Sequence, residues 1–212
     1  MRRNAAIWTA AVVSAALMTG LGTAGEASAA PKSLVVAPNG DDSAPGTLAR
    51  PLNSVAYGNG FNRWNFPDFA GDGNGFKLGG GTPAPAAGHT VRNSVAFKNA
   101  AHGFTDNGNS GALALTRDSA YANAGTGFDT DTAGGTATLT ASLSVADGRA
   151  AALGSATVSK GNSWDLGGTW NASSVLSTDP APLTGPRTAD GSLPSAPQFL
   201  VPRRGANIGA RF

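Results

Sequence analysis

The chain has 212 residues, of which 30 are Gly, 13 are Pro, none is Cys and 13% are charged. Glycine at about twice its usual share, charge at about half and a single Glu, Glu26, leave too few helix-forming surface residues for a helical bundle or an ordinary α/β fold, while a hydrophobic share of 41% excludes wholesale disorder. The net charge of +2 gives no electrostatic support for nucleic-acid binding, and the lack of Cys excludes disulfides, thiolate nucleophiles and Cys-based metal sites. An all-β, turn-rich architecture remains.

Residues 1–30 open with Arg2 and Arg3, continue as an Ala-rich apolar stretch and close on Ala27-Ser28-Ala29. A basic start, a short apolar middle and a small-x-small end predict a secretory signal peptide, hence a secreted, extracellular protein. A membrane-spanning helix needs about 20 strongly apolar residues. Thr and Gly interrupt this stretch, so no membrane partner is expected. Residues 31–52 form an N-terminal flank in which one short apolar strand, SLVVA, precedes a Pro/Gly-rich turn region.

From residue 53 the chain repeats itself. Asn53-Ser54-Val55-Ala56-Tyr57-Gly58-Asn59 recurs as Asn93-Ser94-Val95-Ala96-Phe97-Lys98-Asn99, with weaker copies at 118–123 and 142–147. A second phase, Gly-Phe followed by a polar residue, appears at Gly75-Phe76, Gly103-Phe104 and Gly127-Phe128. Short alternating strands with Gly and Asn at the corners predict a parallel β-helix over 53–170, with about five rungs. Strands this short bury no face alone, but rungs stacked about 4.8 Å apart make a continuous interior. Val55, Tyr57, Val95 and Phe97 are expected to point inward with period two. The Asn ending each copy is expected to take a left-handed corner and bond its neighbour one rung away.

Between the first two copies lies Gly71-Asp72-Gly73-Asn74-Gly75-Phe76-Lys77-Leu78-Gly79-Gly80-Gly81. No strand precedes it and no helix follows, so it is a poor dinucleotide fingerprint, and it has too few carboxylates for an EF-hand loop. It reads as a rung strand over 74–78 from which Lys77 projects, either as a solvated surface cation or as a functional group. The two histidines, His89 and His102, lack metal-ligand spacing, and His102 beside Gly103 fits a corner. Asp129 and Asp131 would put two carboxylates on one strand face, with no partner acid identified for hydrolysis. No serine-hydrolase elbow occurs. Trp64, Trp164 and Trp170 either stack on sugar rings or pack at rung ends. Asn171-Ala172-Ser173 fits the glycosylation sequon. Residues 171–212, rich in Pro, Ser and Arg, form a C-terminal flank expected to fold back along the helix, pack on it and cover that end, with Arg203-Arg204 as a solvated pair.

NSVAYGNGFNRWNFPDFAGDGNGFKLGGG followed by HTVRNSVAFKNAAHGFTDNGNSGALAL resembles the pectate lyases of polysaccharide lyase family 9, and GDGNGFKLGG is its most restrictive block. VVAPNGDDSAPGTLARP looks like that family's opening, and GPRTADGSLPSAPQFL like its C-terminal flank. The resemblance implies a secreted, right-handed parallel β-helix acting as a monomer on an acidic polysaccharide, polygalacturonate (pectate). It implies β-elimination: a base takes the carbon-5 proton, acidified by the adjacent carboxylate, and the glycosidic oxygen leaves. Lys77, the lysine of the GNGFKLG block, is implied as the catalytic base. Ca2+ on the substrate carboxylate is implied as the cofactor, stabilising the charge that develops and helping a lysine act as a base near neutral pH.

The family's calcium-binding aspartates lie mainly in the rung ahead of NSVAYGNG. Here Arg50-Pro51-Leu52 joins directly onto Asn53, so those early rungs are missing and no metal ligand is assigned. Asp68 and Asp72, near Lys77 in sequence, are not assigned as replacements, and substrate-binding residues are unassigned. Two functions stand side by side: a pectate-lyase-like enzyme, and a non-catalytic remnant or carbohydrate-binding β-helix derived from such a lyase by internal deletion.

Overall fold

The computed structural model describes residues 53–63, 65–132, 134–188 and 192–212. The expected signal peptide (1–30), the N-terminal flank (31–52) and Trp64 lie outside the described residues. Within them, twelve short strands follow one another: β1 (Val55–Tyr57), β2 (Phe76–Lys77), β3 (His89–Arg92), β4 (Val95–Phe97), β5 (Phe104–Thr105), β6 (Ala112–Thr116), β7 (Ser119–Tyr121), β8 (Thr126–Thr130), β9 (Thr136–Thr140), β10 (Leu143–Val145), β11 (Arg149–Leu153) and β12 (Val158–Lys160). Each of the first nine pairs in parallel with the strand three places on. The result is three sheets: a first of β1-β4-β7-β10, a second of β2-β5-β8-β11 and a third of β3-β6-β9-β12. This is a parallel β-helix of four coils, against the expected five or so. After β12 the chain starts a fifth coil, with Ser163 N donating to Ser142 O and Ala146 N to Trp170 O. It turns away at once, since Asp165 N and Leu166 N both bond back to Asn162 O, and no strand forms.

The Gly-Phe repeat is one packing unit. Phe76, Phe104 and Phe128 stack with ring centroids 4.8 and 4.9 Å apart and planes within 3° and 4° of parallel. Trp164 extends the stack, tilted, at 5.2 Å from Phe128, so it packs at the end of the interior. The glycine before each Phe is required by close approach. A Cβ on Gly75 would lie 2.5 Å from Gly103 O, and one on Gly103 2.6 Å from Gly127 O. Val91, Leu113, Leu115 and Leu139 from the third sheet complete this core.

On the first sheet the expected phase is reversed. Ala96 and Ala120 join the phenylalanine core, while Val95, Phe97, Leu143 and Val145 belong to a second apolar cluster that Val55 and Tyr121 pack against. Tyr57 stacks on Phe97 at 5.1 Å on the same outer face. Alternation with period two fits either phase. The narrow interior decides it: Ala96 Cβ sits 2.9 Å from where a Gly75 Cβ would be, so only small side chains fit and the large ones face out.

Two corners recur in every coil. Gly58, Lys98, Ala122 and Ala146 have φ of 66°, 52°, 52° and 54°, and Asn93, Arg117, Ala141 and Gly161 have 50°, 57°, 52° and 66°. After the first sheet, the left-handed residue is thus the one before each ladder Asn, not the Asn itself. Each left-handed non-glycine costs on the order of 1 kcal/mol. The ladder offsets this: Asn99 Nδ2 donates to Asn123 Oδ1 at 2.8 Å, and Asn123 Nδ2 to Asp147 Oδ1 at 2.8 Å.

The outward apolar face is covered by the C-terminal residues. A single 3-10 turn (Ala172–Ser174), capped by the Asn171 side chain, and a four-residue helix α1 (Ala181–Thr184) punctuate this tail. Val175, Leu183, Phe199, Leu200 and Ile208 pack on Val95, Phe97, Leu143 and Val145. Phe199 meets Phe97 and Tyr121 edge-on, at 5.7 and 6.4 Å. Burial of each large side chain stabilises this contact by on the order of 2 kcal/mol. The final residues bond to the corner before the first sheet: Gly209 N to Ala141 O (2.8 Å), Ala210 N to Ser119 Oγ (2.8 Å) and Arg211 N to Asn93 Oδ1 (2.7 Å). The tail therefore runs along one side of the coils. Among the described residues, no helix is long and apolar enough to cross a membrane.

Candidate active groove on the second sheet

Lys77 ends β2. Phe76 points inward, so alternation sends Lys77 outward, with 42% of its side chain exposed. Parallel register then aligns Lys77 with Thr105 and Thr105 with Asp129. The polar residue after each Gly-Phe pair thus forms one outward column at the coil spacing of about 4.8 Å. Asp72, in the loop before β2, forms an ion pair with Lys77 Nζ. The hydrogen bond from Lys77, with a weaker one from Asn74 N, holds the Asp72 carboxyl below the usual carboxylate range.

Beside this column is a groove of about 370 Å³, lined among others by Asp72, Asn74, His102, Thr105, Asp106, Asn107, Asp129 and Asp131. His102 Nδ1 accepts from Thr126 N at 3.0 Å, which places the imidazole proton on Nε2, 3.7 Å from Asp129 Oδ2. Burial pushes the Asp129 carboxyl up; the nearby His102 opposes this, and the Asp131 and Asp106 carboxylates add to it. Asp106 is committed to its own turn and to Thr132 in the next coil. Its Oδ1 accepts from Gly108 N (3.2 Å) and Thr132 Oγ1 (2.5 Å), and its Oδ2 from Thr132 N (3.0 Å).

Of the residues singled out in the sequence, Lys77, Asp72, His102, Asp129 and Asp131 come together here. Asp68 is exposed on the preceding loop and His89 lies on β3 in the third sheet. Trp164 is interior, and Trp170 lines a separate cavity. The sequence reading missed Asn74, Thr105, Asp106 and Asn107. Thr105 was within reach, since it follows Gly103-Phe104 as Lys77 follows Gly75-Phe76. Asn74, Asp106 and Asn107 belong to loops whose course no repeat dictates.

Among the described residues, no three Asp, Glu, His or Cys side chains are grouped so as to hold a metal ion. Asp72 is taken by Lys77, and both oxygens of Asp106 by Gly108 and by Thr132 of the next coil. A resident calcium ion wants six to eight oxygens, and the residues present do not fit one.

Residues 52–138 match the family model described as Pel9A-like, right handed beta helix region. Pectate lyase PEL9 of Emericella nidulans is 46% identical over 162 residues, covering 74% of this chain and 38% of that protein. Pectate lyase L of Dickeya dadantii is 36% identical over 166 residues, covering 74% of this chain and 36% of that protein. The crystal structure of pectate lyase Pel9A superposes with a TM-score of 0.61 at 34% identity, over 72% of this chain and 37% of that one. The chain spans little more than a third of the length of these relatives. Matched in sequence over residues 52–138 and superposable in fold, the β-helix described here is a Pel9A-like right-handed β-helix, similar to that of pectate lyase Pel9A.

Proposed function

We propose that this protein is a secreted, pectate-lyase-like enzyme that cleaves polygalacturonate by β-elimination with Lys77 as the base. The observation carrying this reading is the position of Lys77: it lies within the residues matching the family model, projects from the second sheet and opens beside the groove. In its neutral form the Nζ lone pair takes the carbon-5 proton. The electrons of that C–H bond become the C4–C5 double bond, the C4–O bond breaks, and the departing glycosidic oxygen takes a proton from water. Lys77 leaves the step as an ammonium, the form that pairs with Asp72, so Asp72 holds the product state of the base until its proton returns to solvent. Groove and polymer are both acidic, so counter-cations must accompany the substrate. In this reading calcium arrives on the substrate's own carboxylates, and no step is routed through a resident ion.

The test is the near-ultraviolet absorbance of the unsaturated product, followed on polygalacturonate with added calcium and with a chelator. We expect a calcium-dependent rise, slowed by a factor of roughly 10² to 10⁴ in Lys77→Ala, the range typical of a lost general base. No rise at any calcium concentration, or a Lys77→Ala variant as fast as the parent, overturns the proposal. One observation favours the second reading, a carbohydrate-binding remnant: the Lys77 amine is held by Asp72. That reading expects binding of the polymer without absorbance change, and a melting temperature indifferent to calcium.

A further inference from the structure

A second cavity, of about 480 Å³, lies away from the groove where the helix meets its tail, and is lined among others by Gly167, Gly168, Trp170, Arg203 and Arg204. Three features give it a chemistry. Trp170 is half-buried against the apolar cluster under the tail and its main chain is fixed by the bond from Ala146 N, so it offers an anchored aromatic surface. Arg203 and Arg204 are adjacent and exposed, and among the described residues neither has a carboxylate within ion-pair distance. Arg203 donates one Nη to Leu176 O at 3.2 Å, which orients it, while the Arg204 guanidinium makes no hydrogen bond among the described residues. No Asp or Glu lines the cavity, and a Cβ on Gly167 or Gly168 would meet nothing within 4 Å, leaving that wall open.

We infer that this cavity binds a uronate unit of an acidic polysaccharide, with Trp170 against the sugar ring and Arg203 and Arg204 on its carboxylate. An indole face suits a pyranose ring, whose axial C–H groups are apolar. A guanidinium fork matches a carboxylate in two parallel hydrogen bonds, and the volume falls within the range of small-ligand sites. Trp170 stacks four coils beyond the coil of Lys77, about 19 Å along the axis, so the cavity is separate from the groove. The choice of uronate rests on the function proposed above.

The test is calorimetric titration of the full chain with trigalacturonate, with galactotriose as the uncharged probe and sulfate as the bare anion. We expect trigalacturonate to bind, galactotriose and sulfate to bind at least about tenfold more weakly, and Arg204→Gln and Arg203→Gln each to weaken trigalacturonate by roughly tenfold or more. Unchanged affinity in both variants overturns the inference, as does sulfate binding as tightly as the sugar. If binding survives both Arg variants and is lost in Lys77→Ala, the inference fails while the proposed function stands. If the Arg variants lose binding and polygalacturonate still gives no unsaturated product, the proposed function fails while the inference stands.

Discussion

Raising the pH from 5 to 9 is expected to lower the melting temperature of the wild-type protein, and Asp118→Asn to remove most of that fall. Asp118 is fully buried at the corner between β6 and β7. Its Oδ1 accepts from Ser94 N at 2.8 Å, and its Oδ2 has no hydrogen-bond partner among the described residues. Burial pushes its carboxyl from 3.8 up to about 8, against the opposing effects of backbone bonds from Ser94 and Thr116 and the charge of Arg92. The folded chain therefore keeps a proton that the unfolded chain releases. Stabilisation from this group is complete below pH about 4 and is lost as the pH climbs through 8, a span worth on the order of 5 kcal/mol. For a chain of this size that is roughly 10 °C or more in melting temperature. Asp147, pushed up to about 6 mainly by burial, acts in the same direction over a lower range.

The neighbouring coils show why an amide suits this corner. The equivalent residues are Ser94, Ser142 and Asn162, and Asn162 Nδ2 donates to Leu139 O in the third sheet at 2.8 Å. Two coils earlier, the side-chain amide introduced by Asp118→Asn carries the same donor toward the Val91 carbonyl. Thermal melts of both proteins at pH 5, 7 and 9 check this. A wild type whose melting temperature is flat over that range, or a variant that falls as steeply, sinks it.

Phe104→Ala is expected to cost about 4 kcal/mol, and Phe76→Ala about half as much. Phe104 is wholly buried between two parallel rings, whereas Phe76 stacks on one side only and is partly exposed. The void left at 104 has little freedom to collapse. Phe76 N is tied to Gly103 O at 2.8 Å, and the glycine column holds the backbones at close contact. Urea unfolding of the two variants measures the difference, and equal costs would show that the stack contributes no cooperative packing.

The repeat made much of this fold legible before any coordinates. Glycine at 75, 103 and 127 is forced by backbone oxygens in the next coil, and sequence spacing alone exposes a constraint that recurs. The phase of Val95 and Phe97 was not legible. It depends on the narrow interior beside Ala96 and on Phe199 and Leu200 arriving from about a hundred residues away to cover the outer face, and local alternation carries no trace of either. The groove divides the same way. Lys77, Thr105 and Asp129 share a column because they share a place in the repeat. Asp72 reaches Lys77 from a loop, and Asp106 is taken by Gly108 and by Thr132 of the loop one coil on, so neither could be placed from spacing. Arg203 and Arg204 read as an ordinary solvated pair until the tail set them beside Trp170.

The way the last residues attach has a mechanical result. In a stack where each layer touches only the next, unravelling can start at one extremity and advance layer by layer. Here Arg211 grips Asn93, Ala210 grips Ser119 and Gly209 grips Ala141, so one strap is laced across three successive joints. No layer peels off while the strap stays fastened, and unfastening it bares the Val95, Phe97, Leu143 and Val145 face to water all at once. Slow amide exchange should accordingly report a single concerted opening shared by all four layers, in place of a gradient from the ends.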